Sequence, residues 1–350
     1  MDNSSQRKIL RVSPTCEIPQ LAGEITSALV GDGPSLGFGD ISSEHAAHYA
    51  AVVIGTSGSS GAAKEVAITA TALISSARAS NKFINAKPGD TWSLLLPLTH
   101  IAAVNVLMRA IELGTLPIDL RNFDGDYPKA DYTSIVPTQL FRAFNGDTRL
   151  LNHLKSTKAV LVGGAALSGS IRKQAELAGI KVITTYGMTE TCGGCVYDGE
   201  VIDGVEVEIR SGKIFIRGPI LASSISLDAG WYETSDLGEM NDGKLTVLGR
   251  ADDVIISGGE NLSLNAVEAS LNEAFPDVEC AAFSIDDPQW GDSLQIAVVG
   301  SVTDAEITMH LESNLGPFAK PKGIHRLASL PLLGIGKVDR KSLAKGIAHE

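Results

Sequence analysis

A chain of 350 residues, 44% hydrophobic and 20% charged, has the composition of an ordinary globular protein with room for about two domains. A net charge of −12 excludes a broad cationic face for a nucleic-acid backbone, so nucleic acid is not an expected partner and any anionic substrate must be met by a few well-placed lysines and arginines. The segment Met1 to Arg7 lacks the apolar stretch of a signal peptide, and no apolar run reaches the length of a membrane span, so the expectation is a cytoplasmic protein without membrane insertion.

Tyr49 to Ile54 reads as a buried strand, and it is followed by Gly55-Thr-Ser-Gly-Ser-Ser-Gly-Ala-Ala-Lys64. Glycines let backbone N–H groups turn toward an anion, hydroxyls add donors, and Lys64 adds a positive charge. The lysine spacing is not that of the common nucleotide loop, and a plain Gly/Ser connection stays open on these residues alone. Glu65 to Thr69 looks like a second strand, so the loop joins two strands, and Thr69 can cap a helix through Asn81. Asp90 to Pro97 reads as a strand leading to His100, and Ile101 to Ile111 is apolar on nearly every face, which predicts a buried helix. His100 then stands at a strand-to-helix junction, either as a cap or core histidine or as a site residue.

Apolar runs at 115–120, 132–136, 159–162 and 181–185 alternate with helical segments, which predicts a mostly parallel sheet covered by helices. Ser168 caps a helix ended by Gly179, giving a βαβ unit. Gly163, Gly164 and Ala165, and then Tyr186, Gly187, Met188, Thr189 and Glu190, follow carboxyl ends of parallel strands and should share the crevice where such sheets bind ligands. Cys192 and Cys195 have the spacing of half a zinc site or a redox pair, but no second pair completes it. From Val205 the pattern becomes short alternating strands, 205–209, 213–217, 231–236 and 245–250, and a boundary is expected at 251–253. Beyond it the pattern is α+β: Ser263 caps a helix to Ala274, strands follow at 278–285 and 294–300, and Thr303 to Glu306 is a capping box. The tail carries the glycine-rich segment 333–340.

The ordered set Thr56 to Lys64, Tyr186 to Glu190, Ser235-Asp236, Gly249 to Asp253 and Gly334 to Arg340 resembles the adenylate-forming superfamily of acyl-CoA synthetases. Leu96 to Ala103, Val106 to Arg109 and Tyr186 to Gly199 are most similar, within it, to the short actinobacterial o-succinylbenzoate–CoA ligases of menaquinone biosynthesis. The resemblance spans roughly 45–345. It departs at Ala63, Ala103, Ser235 and Leu264, none of which is a reacting group.

The resemblance implies a large N-terminal α/β domain (1–251), with a mostly parallel sheet and a β-rich subregion, and a small mobile α+β C-terminal domain (252–350). It implies an AMP-forming acid–thiol ligase that converts ATP, 2-succinylbenzoate and CoA to the acyl-CoA, AMP and pyrophosphate, with Mg²⁺. Thr56, Ser57, Gly58, Ser59, Ser60, Gly61 and Lys64 would hold the β and γ phosphates, and Glu190 the metal, with Thr189 on a phosphate oxygen. Gly163, Gly164, Ala165 and Tyr186 would hold adenine, Gly187 and Met188 would also bind the nucleotide, and Asp236 and Arg250 the ribose. Lys337 would reach the α-phosphate. His100, Arg109 and Gly194 would border the acyl group, although Arg109 could equally cap the end of its helix. Asp252 would be the hinge, and Gly258 and Gly259 would line the CoA route. A different acyl or aryl acid, a non-catalytic nucleotide sensor on the same scaffold, and a homo-oligomer stay open.

Overall fold

The computed structural model describes residues 6–57, 63–257, 259–276, 278–287, 291–331 and 338–347. Gly58, Ser59, Ser60, Gly61, Gly258 and Lys337 therefore lie outside the described residues.

The first layer is a five-stranded sheet of β1 (Gln6–Arg11), β2 (Ser35–Phe38), β3 (His45–Ala47), β4 (Ala50–Ser57) and β5 (Ala63–Thr69), in the order β3-β1-β2-β4-β5. β1, β2 and β4 run parallel, whereas β4 and β5 form an antiparallel hairpin with Thr56 opposite Lys64. The strand-to-strand character of the Gly/Ser loop is thus as expected, but its hairpin belongs to a sheet of its own. Between β1 and β2, helix α1 (Ile18–Val30) buries Ile18, Leu21, Ala22, Ile25 and Ala28, one helical stripe. Thr69 caps α2 (Ala70–Phe83) by accepting the Ala72 N–H at 3.1 Å.

The second sheet contains β6 (Trp92–Leu94), β7 (Ile118–Asp119), β8 (Tyr132–Ile135), β9 (Ala159–Gly163), β10 (Val182–Met188), β11 (Gly193–Tyr197) and β12 (Glu200–Val201). Its order is β12-β11-β10-β9-β8-β6-β7, parallel from β7 to β10 and antiparallel beyond. Helix α3 (Ile101–Glu112) follows β6 and is buried from Ala103 to Ala110, as its uniformly apolar sequence predicts. One core joins α1, α2 and α3 with both sheets, through Ile54, Val66, Leu73, Trp92, Leu94 and Leu107. A second apolar cluster sits under α4 (Pro137–Phe144), α5 (Thr148–Ser156) and α6 (Gly169–Leu177), built on Leu140, Leu154, Val160 and Ile171. α6 starts at the Ser168 cap and connects β9 to β10 in the expected βαβ unit.

β13 (Glu206–Arg210), β14 (Lys213–Arg217), β15 (Tyr232–Asn241) and β16 (Lys244–Arg250) form an antiparallel meander. A 3₁₀ turn, Ala251–Asp253, leads to the hairpin of β17 (Val254–Ser257) and β18 (Glu260–Ser263). Then come α7 (Leu264–Ala274), β19 (Glu279–Asp287), β20 (Gly291–Val299), α8 (Asp304–Leu315), β21 (Gly323–Arg326) and α9 (Arg340–Ile347). Both expected caps form: Ser263 accepts the Ala266 N–H, and Thr303 and Glu306 make the capping box. This part has its own core, including Val267, Leu271, Leu294, Ile296, Ile307 and Leu311. No helix among the described residues is long and apolar enough to cross a membrane.

Candidate active site

The β4–β5 hairpin and the carboxyl end of β10 meet through a salt bridge. Lys64 Nζ donates to Glu190 Oε1 at 3.2 Å, and Thr56 Oγ1 donates to the Lys64 carbonyl at 3.0 Å. The ammonium is about half exposed and the carboxylate much less so, with side-chain exposures of 53% and 17%. Glu65 anchors the hairpin from below, accepting the Ser42 N–H, the Ser42 hydroxyl and the Ser43 N–H at 2.7, 2.8 and 3.0 Å. Burial would raise its carboxyl, but the bonds from Ser43 and Ser42 outweigh that and bring it down to about 2.

Glu190 lies on the 3₁₀ turn Thr189–Thr191 that ends β10. The turn is fixed by fully buried Thr191, whose hydroxyl accepts the Met188 N–H at 2.9 Å and donates to the Gly193 carbonyl at 2.8 Å. The segment 222–224 ties it to the first sheet. Ala222 N donates to the Glu190 carbonyl at 2.8 Å, while Ser223 N donates to the Ala67 carbonyl and Ala67 N to Ser224 Oγ, both at 2.9 Å. Sequence reasoning missed Thr191 and 222–224, because small polar residues in loops carry no chemical signature of their own.

Next to this acid stands the expected nucleoside edge. β9 and β10 pair in register with Gly163 opposite Thr185, which sets the Gly163–Ala165 turn beside Tyr186. Gly164 and Ala165 are exposed. Tyr186 Oη donates to Asp236 Oδ2 at 2.7 Å, and burial, followed by the Asp236 charge, raises the phenol well above its ordinary range. Asp236 is in turn the cross-strand partner of Arg250. Tyr232, which sequence reasoning passed over, belongs here too. Burial pushes its phenol up to about 12, Glu190 and Asp236 add to the rise, and Arg250 opposes it. The signal for Tyr232 was its spacing, since residues 232, 234 and 236 fall on one face of a strand.

His100 is half-buried at the N-cap of α3, where it caps with its backbone carbonyl and makes no side-chain cap bond. The turn before it comes close to the β4–β5 hairpin: a Cβ on Gly39 would lie 2.9 Å from the Thr99 carbonyl and 3.0 Å from that of Gly55, so only glycine, here at φ +79°, fits between them. Arg109, about 13 Å further along the helix axis, does not cap the end of α3. Its guanidinium turns into the core instead, donating from Nη1 to Ser134 Oγ at 3.1 Å and from Nη2 to Tyr197 Oη at 3.0 Å. Cζ lies 5.1 Å from the Trp92 ring centroid, and Nε has no partner. Only 4% of Arg109 is exposed, and no carboxylate pairs with it among the described residues. The Tyr197 hydroxyl passes the bond on to Ser80 Oγ at 2.9 Å. Gly194 lies against the same ring, where a Cβ would come within 2.8 Å of the Tyr197 Cε1 and 3.3 Å of the Thr185 Cβ. Gly187 faces Gly194 across the β10–β11 register. Contacts thus lead from Arg109 to Tyr197 and from its ring to Gly194, which pairs with Gly187 beside Tyr186.

Cys192 adopts φ +52° after the 3₁₀ turn, and its carbonyl accepts from Asn105 Nδ2 at 2.8 Å and Ser76 Oγ at 3.1 Å. Cys195 lies on β11. Burial pushes both thiols up to about 12, far from the thiolate that metal or redox chemistry needs. In the C-terminal part, Asp252 sits within the 3₁₀ turn, and Gly259 takes φ +87° at the tip of the β17–β18 hairpin.

A family model described as AMP-binding enzyme matches residues 15–222, and one described as AMP-binding enzyme C-terminal domain matches 266–337. The chain belongs to the AMP-binding enzyme family. Within this family it is 37% identical over 329 residues to a probable 2-succinylbenzoate–CoA ligase of Mycobacterium tuberculosis, covering 86% of this chain and 85% of that protein. It is 29% identical to the 2-succinylbenzoate–CoA ligase of Lactococcus lactis, over 84% of this chain and 70% of the relative. Among solved structures, wild-type E. coli MenE with a bound phenylether-linked analogue of OSB-AMS superposes with a TM-score of 0.69 at 25% identity, covering 98% of this chain and 83% of that one. The adenylate-forming fold expected from the sequence is the fold of this AMP-binding enzyme.

Proposed function

We propose that the chain is an o-succinylbenzoate–CoA ligase of the menaquinone pathway, working in the cytoplasm. It makes 2-succinylbenzoyl-CoA, AMP and pyrophosphate from ATP, 2-succinylbenzoate and CoA. The observation that carries the substrate assignment is Arg109. A guanidinium buried without an anion is costly, and a substrate with a second carboxylate, besides the one that is activated, removes that cost by supplying the missing partner.

The first half-reaction brings a carboxylate onto the α-phosphate and releases pyrophosphate, so the protein's task is charge neutralisation and alignment. Thr56, Ser57, Lys64 and the residues between them hold the β and γ phosphates. Glu190, a half-buried hard-oxygen donor beside the hairpin with Thr189 next to it, fits a Mg²⁺ that keeps water and phosphate ligands. Bound there, the metal supplies neutralising charge to the triphosphate. Tyr186 and the 163–165 turn enclose adenine, while the Tyr186 hydroxyl orients Asp236 for the ribose and Arg250 donates from the neighbouring strand. Lys337 reaches the α-phosphate from the small domain. In the second half the CoA thiol needs the space that Lys337 occupied. Residues 252–350 therefore turn about Asp252 relative to 1–251, and Gly258 and Gly259 come to line the thiol's route.

The test is acid-dependent ATP–pyrophosphate exchange over a panel of carboxylic acids including 2-succinylbenzoate, followed by CoA thioester formation. Exchange with 2-succinylbenzoate well above the other acids is expected. Exchange with another acid alone would overturn the substrate, and binding of AMP without exchange for any acid would turn the protein into a nucleotide sensor.

A further inference from the structure

Arg340 opens α9, three residues after Lys337 in the sequence. Its guanidinium is gripped by side chains from two other segments. Nη1 donates to Asp253 Oδ2 at 2.7 Å, Nη2 donates to Asn265 Oδ1 at 2.8 Å, and Nη2 stands 3.0 Å from Glu268 Oε2. The acceptors are themselves tied together. Asn265 Nδ2 donates to Asp253 Oδ2 at 3.4 Å, and Glu268 Oε1 accepts the Ala282 N–H of β19 at 2.9 Å. Burial raises the Glu268 carboxyl and the Arg340 charge opposes the rise, so arginine and acid depend on each other.

The three acceptors have distinct positions along the chain. Asp253 ends the 3₁₀ turn that follows β16 and is the residue after Asp252; Asn265 and Glu268 lie on the first two turns of α7. One planar fork therefore fastens the far side of the expected pivot to α7 and to the start of α9. The flanking strand constrains the same junction: a Cβ on Gly249 would lie 2.8 Å from the Asn265 Nδ2. With Asp253 held in this way, backbone rotation is confined to the residues before it.

We propose that Arg340 is a positioning residue for the adenylation half-reaction. It makes Asp253, α7 and α9 one body, so that rotation about Asp252 delivers Lys337 to the α-phosphate in a set orientation. This rests on the acyl-adenylate reading above. Lysine cannot substitute, because a single ammonium does not present the fork that reaches two acids and an amide at once. The thioester half does not use Lys337, so loss of the fork falls on adenylation.

The experiment uses the full chain, the variant Arg340→Lys, and the double variant Arg340→Gln with Glu268→Gln, which removes the Glu268 charge together with that of the arginine and leaves Asp253 the bond from Asn265. Each is assayed for ATP–pyrophosphate exchange with 2-succinylbenzoate, and separately for CoA thioester formation from synthetic 2-succinylbenzoyl-adenylate. The expected result in whichever variant folds is exchange kcat down at least ~10-fold, the scale of a small misplacement of a reacting group, with thioester formation within about threefold of the parent. A purely structural role would depress both halves together, and that result, or exchange within about twofold of the parent, overturns the proposal. A parent chain with no exchange for any acid would instead refute the acyl-adenylate reading, and this role would fall with it.

Discussion

Replacing Arg109 with methionine separates substrate recognition from stability. The side chain is 4% exposed, bonded to two hydroxyls, stacked near Trp92, and has an unpartnered Nε. Methionine keeps an unbranched apolar body of similar reach, and Tyr197 retains its bond to Ser80. The protein loses two charge-assisted bonds but also sheds the desolvation of a buried cation. These effects oppose each other, so folding stability should change by no more than about 1–2 kcal/mol. Binding of the dicarboxylate has no such compensation, because the second carboxylate would be left without its cation. The loss is about 2–5 kcal/mol, or roughly 30- to several-thousand-fold in kcat/KM for 2-succinylbenzoate. The assay compares ATP–pyrophosphate exchange for 2-succinylbenzoate and for 2-butyrylbenzoate, which lacks the second carboxylate. Arg109→Met should abolish the preference for the former while leaving the latter within a few-fold. An equal drop for both acids, accompanied by a large fall in Tm, would show that Arg109 is only a core residue and would refute the reasoning.

Three further outcomes follow from the site. Tyr186→Phe keeps the ring and removes the hydroxyl that orients Asp236, so KM for ATP should rise about tenfold or more in steady-state exchange while the acid KM is unchanged, the scale of a hydrogen bond to a charged group. Glu65 titrates at about 2 in the folded chain, below its ordinary 4.5, so its stabilising effect is complete above pH 4.5 and is lost as pH falls toward 2. Thermal unfolding of Glu65→Gln and the parent should therefore converge across that window, and a gap that stays constant would contradict the hydrogen-bonded anchor. Lys337→Ala should abolish adenylation and largely spare thioester formation from supplied acyl-adenylate, with a loss of at least ~10²-fold in exchange. Equal losses in both halves would count against a rotating domain.

Local chemistry was readable without coordinates where a residue type has few other uses. The Thr69 and Ser168 caps and the Thr303 capping box each announce their local geometry, and helix α3 is apolar on nearly every face because α2 and the second sheet pack against it. The first 48 residues were silent because their signals are weak: β2 is four buried residues without alternation, and Glu17 gives α1 no side-chain cap. Arg109 illustrates the limit more sharply. Near the end of an apolar helix, the same arginine can cap carbonyls or enter the core, and the choice depends on Ser134 and Tyr197, which arrive from strands 25 and 88 residues away.

The sequence by itself therefore determined the family and named the candidate groups, because motifs such as Tyr186 to Glu190 and Gly249 to Asp253 are written directly in residue type and spacing. The tertiary structure decided what those groups face. Only packing joins Lys64 to Glu190 across 126 positions, bridges Glu190 to Ala67 through 222–224, and gathers Asp253, Asn265 and Glu268 around Arg340. Such contacts depend on how sheets and helices stack in space, and spacing along a chain carries no record of that stacking.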